Sequence, residues 1–455
     1  MDTYNHATSY SNRVFFSSGI FLLTFIIISI SSIFALWEVD TDVLLILVII
    51  TFLLEFLILT VISPSRQWSP RGLLFLGWTT PFLIAQLPLE LVIFYIPQIT
   101  YNAYFIFFVT LGSFYIAEFL VLKFFSYLGL KEVQITQATV HQAARYAPRF
   151  LIIIFCLISC AGYTIALINS GGRIPVFAEN VTIAANEFWA VPGSATLFMA
   201  ARLFFLFLAV RVSWNAIQGS KSGYFSEKPL LFLSLILILL MFSYGKRSIF
   251  IYTFLPVVIF AIAVFRIKFK NIIIILFLTL ILFILNAYIR AVYNFDLYWT
   301  GQDFHRLEST FTYSILQPFT YVRETFGNLS LVVDSSTWLS PQLLDDTAYE
   351  KQALLINRGK IVPLIATLSA SYGILPSIFI VFLIFVSYLC LYVLAKRGFW
   401  ILIYCILSPG MALLWTSILI DKQGIYRIIL IMFLLGISFN VIFTRNDLNQ
   451  INSSR

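Results

Sequence analysis

Apolar runs recur along almost the whole chain, separated by short polar breaks. Most are about 17–25 residues long, the length a helix needs to cross the hydrocarbon core of a bilayer. They are continuous rather than alternating, which selects helices over the period-two strands of an outer-membrane barrel. The pattern predicts about twelve spans, at 14–36, 42–63, 72–96, 103–125, 150–168, 196–216, 229–243, 249–265, 271–289, 371–395, 399–419 and 425–444. The third, with Pro81, Gln86 and Glu90, has the weakest pattern. No internal repeat or soluble domain interrupts the series, so 1–455 reads as a single all-α transmembrane domain.

The polar breaks alternate in charge. Arg13 precedes the first span, and the next break, "WEVDTD", is acidic. "SPSRQWSPRG" is basic and "PQITYN" neutral. The loop over 126–149 carries Lys131, Arg145 and Arg149, and "GSKSGYFSEKP", "RIKFK", "AKRG" and the tail from Arg445 follow as cationic segments. Because cytoplasmic loops collect Lys and Arg, this alternation predicts that both termini are cytoplasmic. The first span lacks a small-residue cleavage site and reads as a retained anchor.

Composition excludes a soluble globular class. The chain is 60% hydrophobic and 11% charged, with a mean hydropathy of +0.93, against about 45–50% apolar and about 25% charged for soluble domains. The net charge of +8 sits mainly in short loops, so membrane orientation explains it better than nucleic acid. The four cysteines lie inside apolar runs, and no histidine or acid accompanies Cys156 and Cys160, which points to packing rather than metal.

Two features break the charge alternation on the outward side. One is "SYGKRSIF" at 243–250, between spans seven and eight. Ser248 is a good N-cap, so unpaired N–H groups and the positive dipole end of span eight converge beside Lys246 and Arg247. That arrangement suits a phosphate or pyrophosphate. A pair of snorkelling cations is the ordinary alternative. The other is the long loop over 290–361, where "RLESTFTYSILQPFTYVRETF" and the segment around "DTAYEKQALLINRG" predict helices lying at the membrane surface. Loops of this length are usually functional.

Further cations are predicted to face outward: Arg173 after Gly171–Gly172, Arg290 at the end of span nine, Arg306, Arg323, Arg358 and Lys360 in the loop, and Arg427 in the last span. Arg202 lies one to two turns inside span six. A cation there costs about 2.5–3.5 kcal/mol and therefore faces a cavity or a partner. Taken singly, each is explained as well by solvation; together they suit a polyanion. Glu55, Glu90 and Glu118, inside spans, read first as structural charge partners. Asp303, His305 and Glu308 crowd the start of the long loop, where His305 or a neighbouring acid is a candidate general base. The tripeptides "NVT" at 180 and "NLS" at 328 match the N-glycosylation pattern. Phosphate-binding P-loop, dinucleotide, zinc-protease and nucleophile-elbow motifs are absent from the sequence.

Three stretches, "INSGGRIPVFAEN", "FSYGKRSIFIYTFLP" and "NRGKIVPLIATLSASYGILPSIFIVFL", together with the layout from about residue 165 onward, resemble the bacterial oligosaccharide repeat-unit polymerases of the O-antigen and capsule group. The resemblance implies an undecaprenyl-diphosphate-linked oligosaccharide substrate at the outer face of the bacterial cytoplasmic membrane. It implies glycosyl transfer with the lipid diphosphate as leaving group, without metal or cofactor. On this reading Lys246, Arg247, Arg290, Arg173, Arg202, Arg323 and Arg427 hold the diphosphate. Asp303, His305 or Glu308 takes the acceptor's proton, and Tyr298, Trp299, Tyr313 and Tyr321 are candidates to stack on sugars. A flippase and a chain-length regulator are the implied protein partners. An O-antigen ligase shares the long loop and the arginines. A flippase is the third reading, although it calls for two similar halves.

Overall fold

The computed structural model describes residues 2–62, 68–87, 98–128, 135–178, 184, 187–188, 190–219, 227–244, 248–265, 281, 284–285, 288, 310–334, 336, 338–339 and 363–412. Among these, every element longer than one residue is helical. In chain order they are α1 (Asp2–Leu36), α2 (Thr41–Leu57), α3 (Pro70–Leu74), α4 (Thr80–Ile84), α5 (Tyr101–Tyr127), α6 (Gln137–Arg145) and α7 (Arg149–Asn169). There follow α8 (Ser194–Phe198), α9 (Ala201–Ile217), α10 (Lys228–Tyr244), α11 (Ser248–Phe265), α12 (Thr310–Asp334), α13 (Leu364–Tyr372), α14 (Ile374–Leu394) and α15 (Gly398–Ala412).

Among the described residues, six helical segments are long and apolar enough to cross a membrane: Gly19–Leu36, Thr41–Thr60, Tyr101–Tyr127, Arg149–Asn169, Ser194–Ile217 and Ile374–Leu394. They coincide with predicted spans one, two, four, five, six and ten. Spans seven, eight and eleven correspond to the shorter apolar helices α10, α11 and α15. Span twelve and most of span nine lie outside the described residues.

Span three is helical over 70–84 but changes its hydrogen-bonding period on the way. Over 70–84 the chain forms α3, a π turn (Phe75–Thr79) and α4 in succession. Pro81 removes a backbone donor that a continuous helix would use, and the π turn takes up the altered register.

The chain divides into two compact units. Unit 1 comprises Met1–Lys131, Ile267–Cys390 and Gly410–Ile420; unit 2 comprises Glu132–Arg266, Leu391–Pro409 and Asp421–Arg455.

The core of unit 1 is aromatic. Phe82 stacks on Phe107 with ring centroids 4.0 Å apart, and Phe326 meets Phe82 and Trp78 edge-on at 5.0 and 5.4 Å. Phe326 belongs to α12, which the sequence places at the membrane surface. Its C-terminal half is buried within the protein, polar residues included: Thr325, Asn328 and Ser330 are all inside. They can be buried because the helix is tied to the start of α5. The Thr100 amide donates to Ser330 Oγ at 3.0 Å, and Thr100 Oγ1 and Asn102 Nδ2 donate to Asp334 at 3.0 and 2.8 Å. Asn328 is 1% exposed, which closes the "NLS" site to glycosylation in the folded chain. Asn180 lies outside the described residues.

Unit 1 also buries Arg71, which the charge pattern assigns to a cytoplasmic loop. It is 2% exposed and pairs with Glu118 of α5, while its Nη1 donates to the Tyr115 hydroxyl at 3.1 Å. Its guanidinium also lies over the rings of Tyr115 and Phe21, at 4.5 and 5.1 Å. Glu118 is thus a structural charge partner, as expected for an acid inside a span.

In unit 2, α7 and α8 approach backbone to backbone. A Cβ at Gly162 would fall 2.6 Å from the Phe198 nitrogen and 2.8 Å from the Ser194 carbonyl, so only glycine fits. At the end assigned to the cytoplasm by loop charge, buried Glu227 accepts from Arg149 Nη2 at 3.1 Å and Arg211 Nε at 3.0 Å. This carboxylate joins the start of α7, the C-terminal half of α9 and the start of α10.

Candidate functional site

The feature of unit 2 that most requires explanation lies where α9 and α11 begin. The helical segment Ser194–Ile217 runs through a short turn at Met199–Ala200, where the backbone stays right-handed, and Arg202 lies just past it. The side chain is 7% exposed. Its guanidinium lies over the ring of Tyr252, 4.7 Å from the centroid. Nε has no hydrogen-bond partner, and among the described residues no carboxylate lies within ion-pair distance.

Burial opposes this placement, because it removes the hydration of a cation. A cation–π contact with a desolvated ring returns about 2 kcal/mol. That leaves a site able to accept an anion, whose charge would offset the lost hydration.

Tyr252 joins α11 to α9 here, and further polar and aromatic groups lie on α11, α10 and α7 of the same unit. Tyr252 sits in the second turn of α11, four residues after Ser248 and five after Arg247 in the chain. Thr253 beside it is fully buried, and its Oγ1 has no partner. Phe254 lies against Phe205 of α9 at 5.1 Å. From α7, the Tyr163 hydroxyl meets Ser243 Oγ at 2.5 Å. Since Ser243 already donates to the Leu240 carbonyl at 2.8 Å, Tyr163 is the donor. Its ring packs against Phe188 and Phe198 at 5.2 and 5.6 Å. The bond therefore holds the end of α10 two residues before Gly245.

The sequence-predicted residues have different fates. Arg202 is buried at the site. Arg173 is exposed, beyond a turn in which Gly171 and Gly172 take φ of +66° and +80°. Arg323 belongs to unit 1, where its Nη1 donates to the Ala85 carbonyl at 2.8 Å and caps the end of α4, a structural use the sequence did not suggest. Lys246, Arg247, Arg290, Asp303, His305, Glu308 and Arg427 lie outside the described residues, as do Glu90, Arg306, Arg358 and Lys360.

The sequence reading missed Tyr252, Thr253, Tyr163 and Ser243. The available signal was weak: hydroxyl-bearing residues within two turns of the ends of apolar runs. In a chain that is 17% aromatic, a tyrosine there also fits an interfacial belt. Among the described residues, no group of three or more His, Cys, Asp or Glu converges in a way that would hold a metal ion. No family model, curated protein or solved structure matches the chain.

Proposed function

We propose that this chain polymerises lipid-diphosphate-linked oligosaccharide repeat units at the outer face of the bacterial cytoplasmic membrane. The observation that carries the reading is Arg202: a buried guanidinium without a carboxylate partner among the described residues, set beside the helix that begins immediately after Lys246–Arg247. In the proposed reaction the bond between the anomeric carbon and the diphosphate oxygen breaks, and the diphosphate leaves with the electron pair. The acceptor sugar's hydroxyl forms the new glycosidic bond and loses its proton to a base, for which Asp303, His305 and Glu308 are the candidates. Fixed cations and the N-terminus of α11 stabilise the negative charge as it develops on the leaving group. Placing a cation in a water-poor site strengthens that effect. The same arrangement suits a ligase acting on the finished glycan.

The test is glycan length on a gel, from cells lacking the native protein and carrying Arg247→Ala or Arg202→Ala, with membrane expression checked beside wild type. Single repeat units from an expressed variant support polymerisation. Long chains from both variants overturn the assignment of this end of unit 2. Long chains that accumulate unattached to their final acceptor identify a ligase.

A further inference from the structure

Unit 1 contains a second buried polar cluster that glycosyl transfer does not use. α2 presents Thr51 and Glu55 one turn apart, hence on one face, and both are 0% exposed. Glu55 Oε2 accepts from Thr79 Oγ1 at 2.7 Å. Neither Glu55 Oε1 nor Thr51 Oγ1 has a partner in hydrogen-bond geometry. The ionisable groups around Glu55 are Arg71 from α3 and Tyr115 and Glu118 from α5, with Thr79 completing the polar contacts. α1 contributes Phe21, packed on Tyr115, and carries no charge over 19–36. The Tyr115 hydroxyl already accepts from Arg71 Nη1 at 3.1 Å.

The charges do not balance. Glu118 is matched by Arg71, so among the described residues Glu55 is one unmatched negative charge inside an apolar bundle. An isolated buried carboxylate of this kind must acquire a counter-charge. The free oxygens, one carboxylate and one hydroxyl, are hard donors that suit a proton or an alkali cation rather than a soft metal. A single deficit calls for a single positive charge. The backbone is irregular at both ends of the cluster: one π turn (Ile58–Ile62) begins three residues after Glu55, and the other (Phe75–Thr79) ends at Thr79. Such turns are frequent at functional sites.

We propose that Glu55, with Thr51 and Thr79, is a binding site for one monovalent cation, a proton or a sodium ion. The inference does not depend on the glycan chemistry, since it concerns a different unit and different residues.

The experiment uses the full chain purified in detergent. Its unfolding midpoint is followed in sodium chloride against N-methylglucamine chloride at equal ionic strength, and across pH, for wild type, Glu55→Gln and Thr51→Val. Infrared difference spectra report the carboxylic C=O band. For sodium, the wild-type midpoint rises with sodium, Glu55→Gln loses the response, and Thr51→Val needs about tenfold more salt for the loss of one ligand worth about 1.4 kcal/mol. For a proton, the midpoint rises as pH falls without regard to sodium, and the carboxylic band vanishes in Glu55→Gln. A wild type that responds to neither ion, or a Glu55→Gln variant that keeps the wild-type response, overturns the site. Should Glu55→Gln fail to fold, an unaltered response in Thr51→Val together with no ion-dependent carboxylic band in wild type overturns it equally.

Discussion

Arg71 in unit 1 and Arg202 in unit 2 are both guanidiniums buried in an apolar helical chain, at 2% and 7% exposure, and both lie over a tyrosine ring at 4.5 and 4.7 Å. Their remaining surroundings differ. Arg71 is paired with Glu118 and donates to Tyr115, so its charge and much of its donor set are used within the fold. Arg202 has the ring and an unpartnered Nε, with no acid nearby among the described residues. A cation that holds helices together acquires its partners from the fold. One that lacks them adds little to stability and is better explained by something that binds. The contrast separates two uses of the same residue type, and it can be tested by removing each charge in turn.

The largest effect is expected at the paired arginine. Glu118→Ala breaks the ion pair and leaves Arg71 only Glu55, which makes no ion pair with it, as a nearby opposite charge, a loss of up to about 3–5 kcal/mol. The measurement is the unfolding midpoint of purified protein, with the yield of folded chain beside it. The double variant Arg71→Met, Glu118→Leu removes both charges and should recover most of that loss. If Glu118→Ala is as stable as wild type, the pair is not what holds α3 to α5, and the distinction between the two arginines loses its reference point.

Arg202→Met is expected to act in the opposite sense. It removes a desolvated charge without leaving a partner stranded, so the unliganded protein should be as stable as wild type or more stable, by up to about 2.5–3.5 kcal/mol. On the proposed function the same variant loses glycan polymerisation by about 100- to 1,000-fold, the usual cost of removing one donor aimed at developing charge. Arg202→Lys keeps the charge but loses the planar fork, and should fall between the two. The decisive pattern is stability held while chain length collapses. If Arg202→Met destabilises the protein as much as Glu118→Ala does, Arg202 is a structural cation like Arg71.

The sequence made some of this visible and concealed the rest for identifiable reasons. The long helices α1, α2, α5, α7 and α14 were legible because a continuous apolar run has one low-energy form in lipid, a helix with its backbone bonds made internally. Arg202 stood out because a cation inside such a run is costly. Arg71 did not, because it stands at the edge of a run and its acid lies 47 positions away. Similarly, the burial of the polar residues of α12 left no local signal, since the groups they meet are distant in sequence: Arg323 meets Ala85 across 238 positions, and Ser330 meets Thr100 across 230. The π turn at Phe75–Thr79 was hidden because α3, the turn and α4 remain apolar, and hydrophobic patterning does not register a change of helical hydrogen-bonding period.

The smallest effect sharpens the comparison from the side of Arg202. Tyr163 donates to Ser243, near the end of α10, while Ser243 keeps its own bond to the Leu240 carbonyl. Tyr163→Phe removes one neutral hydrogen bond and leaves the serine satisfied, so the unfolding midpoint should fall only slightly, corresponding to about 1 kcal/mol. Ser243→Ala removes that bond and the serine's own bond to Leu240, so it should cost somewhat more. Both changes share the Tyr163–Ser243 bond, so the double variant should cost less than the sum of the two, a non-additivity that a double-mutant cycle reads directly. Because Ser243 lies two positions before Gly245 and three before Lys246, the bond restrains the backbone that leads into the cationic turn. The glycan readout should therefore shift to shorter chains without vanishing, in both single variants alike. A loss of stability with chain length unaltered would make the bond purely structural and separate it from the proposed role of Lys246 and Arg247.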